Sequence, residues 1–117
     1  MDLFARLFGA PVTMLKTVEL QKKLKGANRP YILDVRQPEE FRERHIAGAK
    51  LIPLQQLISS LPDLPKQREI VCVCESGSRS HSAARMLASK GYQVLDLQGG
   101  MSAWQREKLP MKKGMAS

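Results

Sequence analysis

Apolar and polar residues alternate along this chain in blocks that predict strands and helices in turn. Short runs of apolar and β-branched residues, typical of buried strands, occur at residues 12–15, 31–35, 49–52, 70–74 and 92–97. Apolar residues at helical spacing predict helices between these runs, at residues 17–25, 38–44, 54–61 and 80–90 and after Gly100. This alternation predicts an α/β fold, with a parallel sheet between helices on both faces and right-handed crossovers.

The length of 117 residues fits one domain with its own core. We expect that domain over residues 12–109, preceded by an N-terminal arm (residues 1–11) and followed by a flexible tail (residues 110–117). Leu3, Phe4, Leu7 and Phe8 fall at helical spacing. The sequence leaves open whether they form an amphipathic arm that packs on the domain or on a partner, or a frayed terminus.

The net charge of +8 favours anionic partners. The basic residues are spread along the chain and aromatic residues make up only 5%, so small anions or an acidic protein fit better than nucleic acid. No apolar run is long enough to cross a membrane, and the first residues do not resemble a secretion signal. We therefore expect no membrane partner.

The two cysteines, Cys72 and Cys74, are too close along a strand for a structural disulfide. Their spacing is not that of the C-x-x-C redox motif, and no His/Cys cluster indicates zinc. This cysteine usage points to a reducing cytoplasm. We expect no metal and no cofactor.

The residues after the fourth strand are small and polar, and they lead directly into a helix. Because ligands gather beyond the carboxyl ends of parallel strands, Cys74 lies where a reactive group is expected. Loop N–H groups and the helix dipole would stabilise its thiolate, which is the nucleophilic form. Gly77 permits unusual backbone angles, Ser76, Ser78 and Ser80 can donate hydrogen bonds, and Arg79 supplies a cation that could face an anion in the loop. Cys72, inside the strand, fits a small buried hydrophobe better.

Polar residues after the second strand reach the same edge of the sheet. Asp34 could brace the loop through hydrogen bonds or cap the following turn. Arg36 could pair with Glu40 or face the pocket. His45 and His81 receive no catalytic assignment, because a thiolate held by N–H groups can attack without a general base.

Three blocks of sequence resemble the rhodanese family. The first has Leu33-Asp34-Val35-Arg36, Pro38-Glu39-Glu40-Phe41, His45-Ile46-Ala47-Gly48-Ala49 and Ile52-Pro53. The second resembles the family's active-site loop, Cys74-Glu75-Ser76-Gly77-Ser78-Arg79-Ser80, and the third its closing block, Gly99-Gly100-Met101-Ser102-Ala103-Trp104. The resemblance spans residues 15–109 and implies a rhodanese-like domain with a five-stranded parallel sheet.

The resemblance also implies a sulfurtransferase in which Cys74 takes a sulfane sulfur from a small anionic donor as a persulfide. The sulfur would pass to a thiol, cyanide or protein acceptor. The implied substrate-binding residues are Glu75, Ser76, Gly77, Ser78, Arg79, Ser80 and Arg36, with Asp34 as structural support.

Two other functions remain on the same fold. One is a binding or regulatory module in which Cys74 stores or senses sulfur for a partner. The other is a cysteine-dependent phosphatase, which the resemblance disfavours because related phosphatases have one more residue between Cys and Arg.

Glu75 is expected to point to solvent. If it pointed inward, it would repel thiosulfate, so a protein or low-molecular-weight persulfide stays open as the donor.

Overall fold

Five parallel strands form the centre of the protein in a computed structural model that describes residues 11–117. The strands are β1 (Thr13–Leu15), β2 (Tyr31–Asp34), β3 (Lys50–Leu51), β4 (Ile70–Val73) and β5 (Val94–Leu97), and their order in the sheet is β1-β5-β4-β2-β3. All four residues of the central strand β4 are buried. This confirms the predicted five-stranded parallel sheet.

Helices cover both faces of the sheet, as the sequence predicted. They are α1 (Thr17–Lys25), α2 (Pro38–Glu43), α3 (Ser78–Ser89) and α4 (Gly100–Arg106). One apolar cluster joins α1, α2 and α4 to the sheet around Leu20, Phe41 and Trp104. A second cluster lies on the other face, where Leu87 of α3 packs with Leu57 and Cys72. Burial on two faces explains why β4 is apolar throughout rather than alternating.

The segment predicted as one helix over residues 54–61 is instead two short 3₁₀ helices, Leu54–Gln56 and Ile58–Asp63. Pro62 lies inside the second of them, and it has no N–H to donate. Proline and short length together favour 3₁₀ turns over a continued α-helix. The helix after the cysteine loop also begins earlier than expected, at Ser78, because Gly77 with φ 114° turns the chain directly into it.

The last residues of the chain lie against α2 and the residues that follow it. His45 and Lys112 exchange backbone hydrogen bonds of 2.9 and 2.8 Å, and the N–H of Gly114 donates to the carbonyl oxygen of Arg42 at 2.8 Å. Met111 packs on the apolar cluster around Trp104. The segment that the sequence predicted to be a flexible tail is therefore held by specific contacts.

The side chain of His45 contacts both α2 and this C-terminal segment. Its ring is buried and stacks on Phe41 with ring centres 3.7 Å apart. Its Nδ1 lies 2.9 Å from the carbonyl oxygen of Phe41, and its Nε2 lies 2.8 Å from that of Ala116. These contacts give His45 a structural role. Residues 1–10, most of the predicted N-terminal arm, lie outside the described residues.

Deleting residues 111–117 should lower the free energy of unfolding by about 1–3 kcal/mol. The deletion removes the backbone bridge to His45, uncovers its ring and takes Met111 off the core. Urea unfolding measures the loss, with Lys113→Ala as a control because Lys113 is exposed. A truncated chain as stable as the full one would show that these contacts contribute nothing.

Candidate active site

Cys74 lies immediately beyond the central strand, at the carboxyl edge of the sheet. Its Sγ accepts a hydrogen bond from the N–H of Gly77 at 3.1 Å and contacts the hydroxyl oxygen of Ser80 at 3.3 Å. Ser80 also donates to the carbonyl oxygen of Gly77 at 3.2 Å. The positive φ of Gly77 bends the loop so that its N–H faces the sulfur. The geometry places one backbone donor and one hydroxyl on Sγ.

The other loop serines do not join this cluster. Ser76 and Ser78 are exposed, and within residues 11–117 neither is bonded to Sγ. Cys74 as a whole is only 1% exposed, so the loop closes tightly around the thiol. The neighbouring thiol differs, because burial, followed by the charges of Asp96 and Cys74, raises the pKa of Cys72 far above its usual range. Cys72 therefore stays a protonated, inert thiol.

Backbone hydrogen bonds hold the cysteine loop against the start of α4. The N–H of Met101 donates to the carbonyl oxygen of Cys74 at 2.8 Å, and the N–H of Ser102 donates to that of Glu75 at 2.9 Å. Such an approach needs a glycine at position 100, because a Cβ there would overlap both carbonyl groups. The sequence placed Gly99 and Gly100 before a helix and in the closing block of the resemblance, but it did not predict this contact. A Gly-Gly pair after a strand is the signal that indicates a close backbone approach.

Arg36 lies in a buried ion pair with Asp34. Its guanidinium donates to Asp34 at 2.9–3.2 Å and to the carbonyl oxygen of Arg44 at 2.8 Å. Another N–H of the same group donates to Glu75 at 3.2 Å. Arg36 therefore does not pair with Glu40. Asp34 supports the loop indirectly, because it orients the arginine that holds Glu75.

The sequence predicted that Glu75 points to solvent, but in the structure hydrogen bonds hold its carboxylate. One carboxylate oxygen accepts from Arg36, and the other accepts from the Ser102 hydroxyl at 3.1 Å, although 43% of the side chain is exposed. Periodicity could not show this contact because Arg36 is 39 residues away and Ser102 is 27 residues away. The carboxylate thus remains beside the nucleophile with its charge partly compensated.

Arg79 does not face the interior of the loop either. Its guanidinium makes a two-pronged contact with Glu40, at 2.7 and 2.9 Å. Hydrogen bonding to Arg79 lowers the pKa of Glu40 from 4.5 to about 2. Since a carboxyl group with a lowered pKa stabilises the fold only when ionised, this contribution is present above pH 4.5 and is lost as the pH falls toward 2.

A cavity of about 270 Å³ opens on the Glu75 side of the loop. Its lining mixes both signs of charge and includes Arg36, Glu40, Glu43, Arg44, Glu75, Met101 and Gln105. A larger cleft of about 840 Å³ involves Arg29, Arg68 and Gln93, near the amino ends of the strands. That cleft lies at the opposite edge of the sheet from Cys74, whereas the smaller cavity borders the cysteine loop at Glu75.

Residues 17–107 match the family model of the rhodanese-like domain. The chain belongs to the rhodanese family. It is 33% identical to a sulfurtransferase of Allochromatium vinosum, over 86% of this chain and 94% of that protein. A rhodanese-like domain protein from Staphylococcus aureus superposes with a TM-score of 0.79 and 33% identity, covering 87% of this chain and 100% of that one.

A third similarity is to YrkF of Bacillus subtilis, which is provisionally named a sulfur carrier protein. It is 39% identical over 62% of this chain and 40% of the longer YrkF. These relationships connect the rhodanese-like chain with sulfur transfer in general.

In the described part of the chain, no helix has the length and apolar character needed to cross a membrane.

Replacing Gly100 by Ala should lower the free energy of unfolding by more than about 3 kcal/mol, because strain at φ 56° adds to overlap with the Cys74 and Glu75 carbonyl groups. Gly114→Ala is the matched control. Gly114 also has a positive φ, of 93°, but nothing lies within 4 Å of an added Cβ. Thermal unfolding of both variants makes the comparison. Equal losses would mean that backbone strain alone, and not close approach to the loop, requires the glycine.

Proposed function

We propose that this protein is a rhodanese-type sulfurtransferase that uses Cys74 as its nucleophile. The observation that supports it best is the contrast between the two thiols. Cys74 Sγ has a backbone N–H at 3.1 Å and a hydroxyl oxygen at 3.3 Å, whereas Cys72 lies inside the central strand. A thiolate needs a hydrogen-bond donor, and the Gly77 N–H supplies one to Cys74 at the ligand-binding edge.

The proposed reaction has two half-steps. The Cys74 thiolate attacks the outer sulfur of the donor; with thiosulfate, the sulfur–sulfur bond breaks and sulfite leaves with its electron pair. The persulfide on Cys74 keeps one negative charge, which the Gly77 N–H can stabilise in turn. A nucleophilic acceptor then attacks the outer sulfur, and the Cys74 thiolate leaves. Cyanide as the acceptor gives thiocyanate, and a thiolate gives a new persulfide.

The loop residues have distinct proposed roles. Gly77 and Ser80 contact the sulfur, whereas Arg79 holds Glu40. Ser76 and Ser78 are exposed, and we propose that they contact the donor as it arrives from solvent. Arg36 and Asp34 hold the loop through Glu75. We propose a cytoplasmic location because the two thiols are free and the charge favours anionic donors.

A sulfur carrier is the second candidate, favoured by the similarity to YrkF. In that case Cys74 would take up one sulfur and deliver it only to a bound partner. The enzyme and the carrier differ in turnover with small acceptors, since a carrier loads once and then stops.

Thiosulfate or glutathione persulfide should add one sulfur atom to Cys74 and none to Cys72. Peptide mapping by mass spectrometry locates the atom, and cyanide should remove it as thiocyanate. Cys72→Ala serves as the matched control and should still load. Sulfur on Cys72 alone, or turnover that persists in Cys74→Ser, would overturn the proposed function.

Glu75→Gln should raise kcat/KM for thiosulfate by about two- to fivefold, because a partly exposed charge beside the thiol repels a dianion by about 1 kcal/mol or less. The gain in kcat/KM should be smaller for a donor whose outer sulfur group carries less charge than thiosulfate. Steady-state kinetics with thiosulfate and with that second donor measures the two gains. Glu69→Gln is the control, since Glu69 pairs with Lys23 at the far edge of the sheet. An equal gain for both donors would contradict a charge effect.

A further inference from the structure

The amino ends of the strands carry a second polar surface, at the edge of the sheet away from Cys74. The turn after α1, the loop before β4 and the residue before β5 meet there. Together they line the cleft of about 840 Å³, whose polar side chains include Arg29, Arg68, Asn28, Gln67 and Gln93. The proposed sulfur transfer uses none of these residues, so the cleft has no role in that reaction.

The cleft continues past two arginines into a second cavity. Arg29 and Arg68 line both the cleft and a neighbouring cavity of about 280 Å³, which extends to Lys50 at the start of β3. The two cavities form one open groove, here called the amino-edge groove, from Gln93 to Lys50 across the starts of β5, β4, β2 and β3. Sites for small molecules enclose most of their ligand, so a long open groove suits an extended chain better.

The two arginines of the groove are held by groups that leave their charge uncompensated. The Arg68 guanidinium donates to the carbonyl oxygens of Arg29 and Pro30 at 2.8 and 3.3 Å. It also lies 5.9 Å from the ring centre of Tyr31. Arg29 donates to the carbonyl oxygen of Leu24 at 3.4 Å. Within residues 11–117 neither arginine forms an ion pair with a carboxylate, whereas both arginines at the cysteine loop do.

Other cations at this edge have a simpler explanation. Three lysines lie in the last turn of α1, where positive charge stabilises the helix dipole, and one of them, Lys23, also pairs with Glu69 at 2.9 Å. Arg29 and Arg68 lie outside the helices, so neither reason applies to them. Both are exposed, and an oriented arginine can bind carboxylate or phosphate oxygens through two parallel hydrogen bonds.

The other side chains of the groove favour a peptide over a nucleic acid. Proteins that bind single-stranded nucleic acids use aromatic faces on which bases stack. In the described residues Tyr31 is the only aromatic side chain that lines the groove, and Arg68 lies over its ring. The three amide side chains of the groove can donate to carboxylates and accept from peptide N–H groups. This lining therefore matches the chemistry of an acidic peptide.

We propose that the amino-edge groove binds an acidic, extended segment of a partner protein, with Arg29 and Arg68 receiving its carboxylates. A partner held there leaves the cysteine loop uncovered, because that loop lies at the opposite edge of the sheet. Binding in the groove is also independent of sulfur transfer, since it uses no residue of the cysteine loop. Failure of sulfur loading would leave it intact, and its own failure would leave the proposed function intact.

The test uses the full chain and a fluorescein-labelled peptide of about ten glutamates, whose charges repel one another and keep it extended. Fluorescence anisotropy measures Kd at about 100 mM salt, where charges more than about 10 Å away are largely screened. The double variant Arg29→Gln/Arg68→Gln should bind the peptide about tenfold more weakly. The control Lys16→Gln/Arg106→Gln removes the same charge from exposed residues at the carboxyl edge and should change Kd by less than about twofold.

Two further measurements locate the peptide and define its class. Saturating peptide should leave the rate at which iodoacetamide alkylates Cys74 unchanged, because the groove is at the other edge of the sheet. A single-stranded oligonucleotide of equal charge should bind more weakly than the peptide, because the groove offers its bases no open aromatic face.

Four outcomes would overturn the proposal. They are no binding of the peptide, equal losses in the two double variants, tighter binding of the oligonucleotide through the same arginines, and slower alkylation of Cys74 with peptide bound. Equal losses would mean that net charge alone attracts the peptide. If the variant with Arg68→Gln does not fold, Arg29→Gln/Lys50→Gln replaces it, with the same expected loss.

Discussion

The architecture of the site depends on the contact between the start of α4 and the cysteine loop. Two backbone N–H groups of α4 bind the carbonyl oxygens of Cys74 and Glu75 at 2.8 and 2.9 Å. Because those carbonyl groups are held from behind, the Gly77 N–H remains directed at the sulfur on the other side. The contact requires Gly100, and it joins the last block of the sequence to the central strand. A loop with two exposed serines is thereby given one defined shape.

Charge around the loop is arranged in two separate pairs. The buried Asp34–Arg36 pair extends to Glu75, and Glu40 takes up the guanidinium of Arg79. A buried pair of this kind restricts geometry more than it adds stability. Both arginines that the sequence assigned to substrate are thus already engaged by carboxylates. An anionic donor would meet partly compensated charge in the cavity rather than free cations.

The sequence predicted the sheet, the two-sided covering and the position of Cys74 well, because each depends on local signals: apolar runs, helical spacing and a glycine in a loop. Contacts between distant residues could not be predicted in the same way. The Glu75 contacts and the Arg79–Glu40 pair join elements far apart in sequence, and periodicity carries no information about side-chain partners. The segment after Pro53 forms two 3₁₀ helices rather than the predicted single helix. The ring of Pro62 removes a backbone N–H donor, and the spacing of apolar residues does not reveal that loss.

The burial of Cys72 has a consequence for the fate of any sulfur that reaches the loop. In a protein with two reactive thiols, the second thiolate can attack a persulfide and expel sulfide as an internal disulfide forms, which a reductant must then open. Here the second of only two cysteines lies within the central strand and is held protonated by its surroundings. A sulfur atom on Cys74 therefore has no exit within the chain. In the proposed function its release would depend on another molecule that serves as the acceptor.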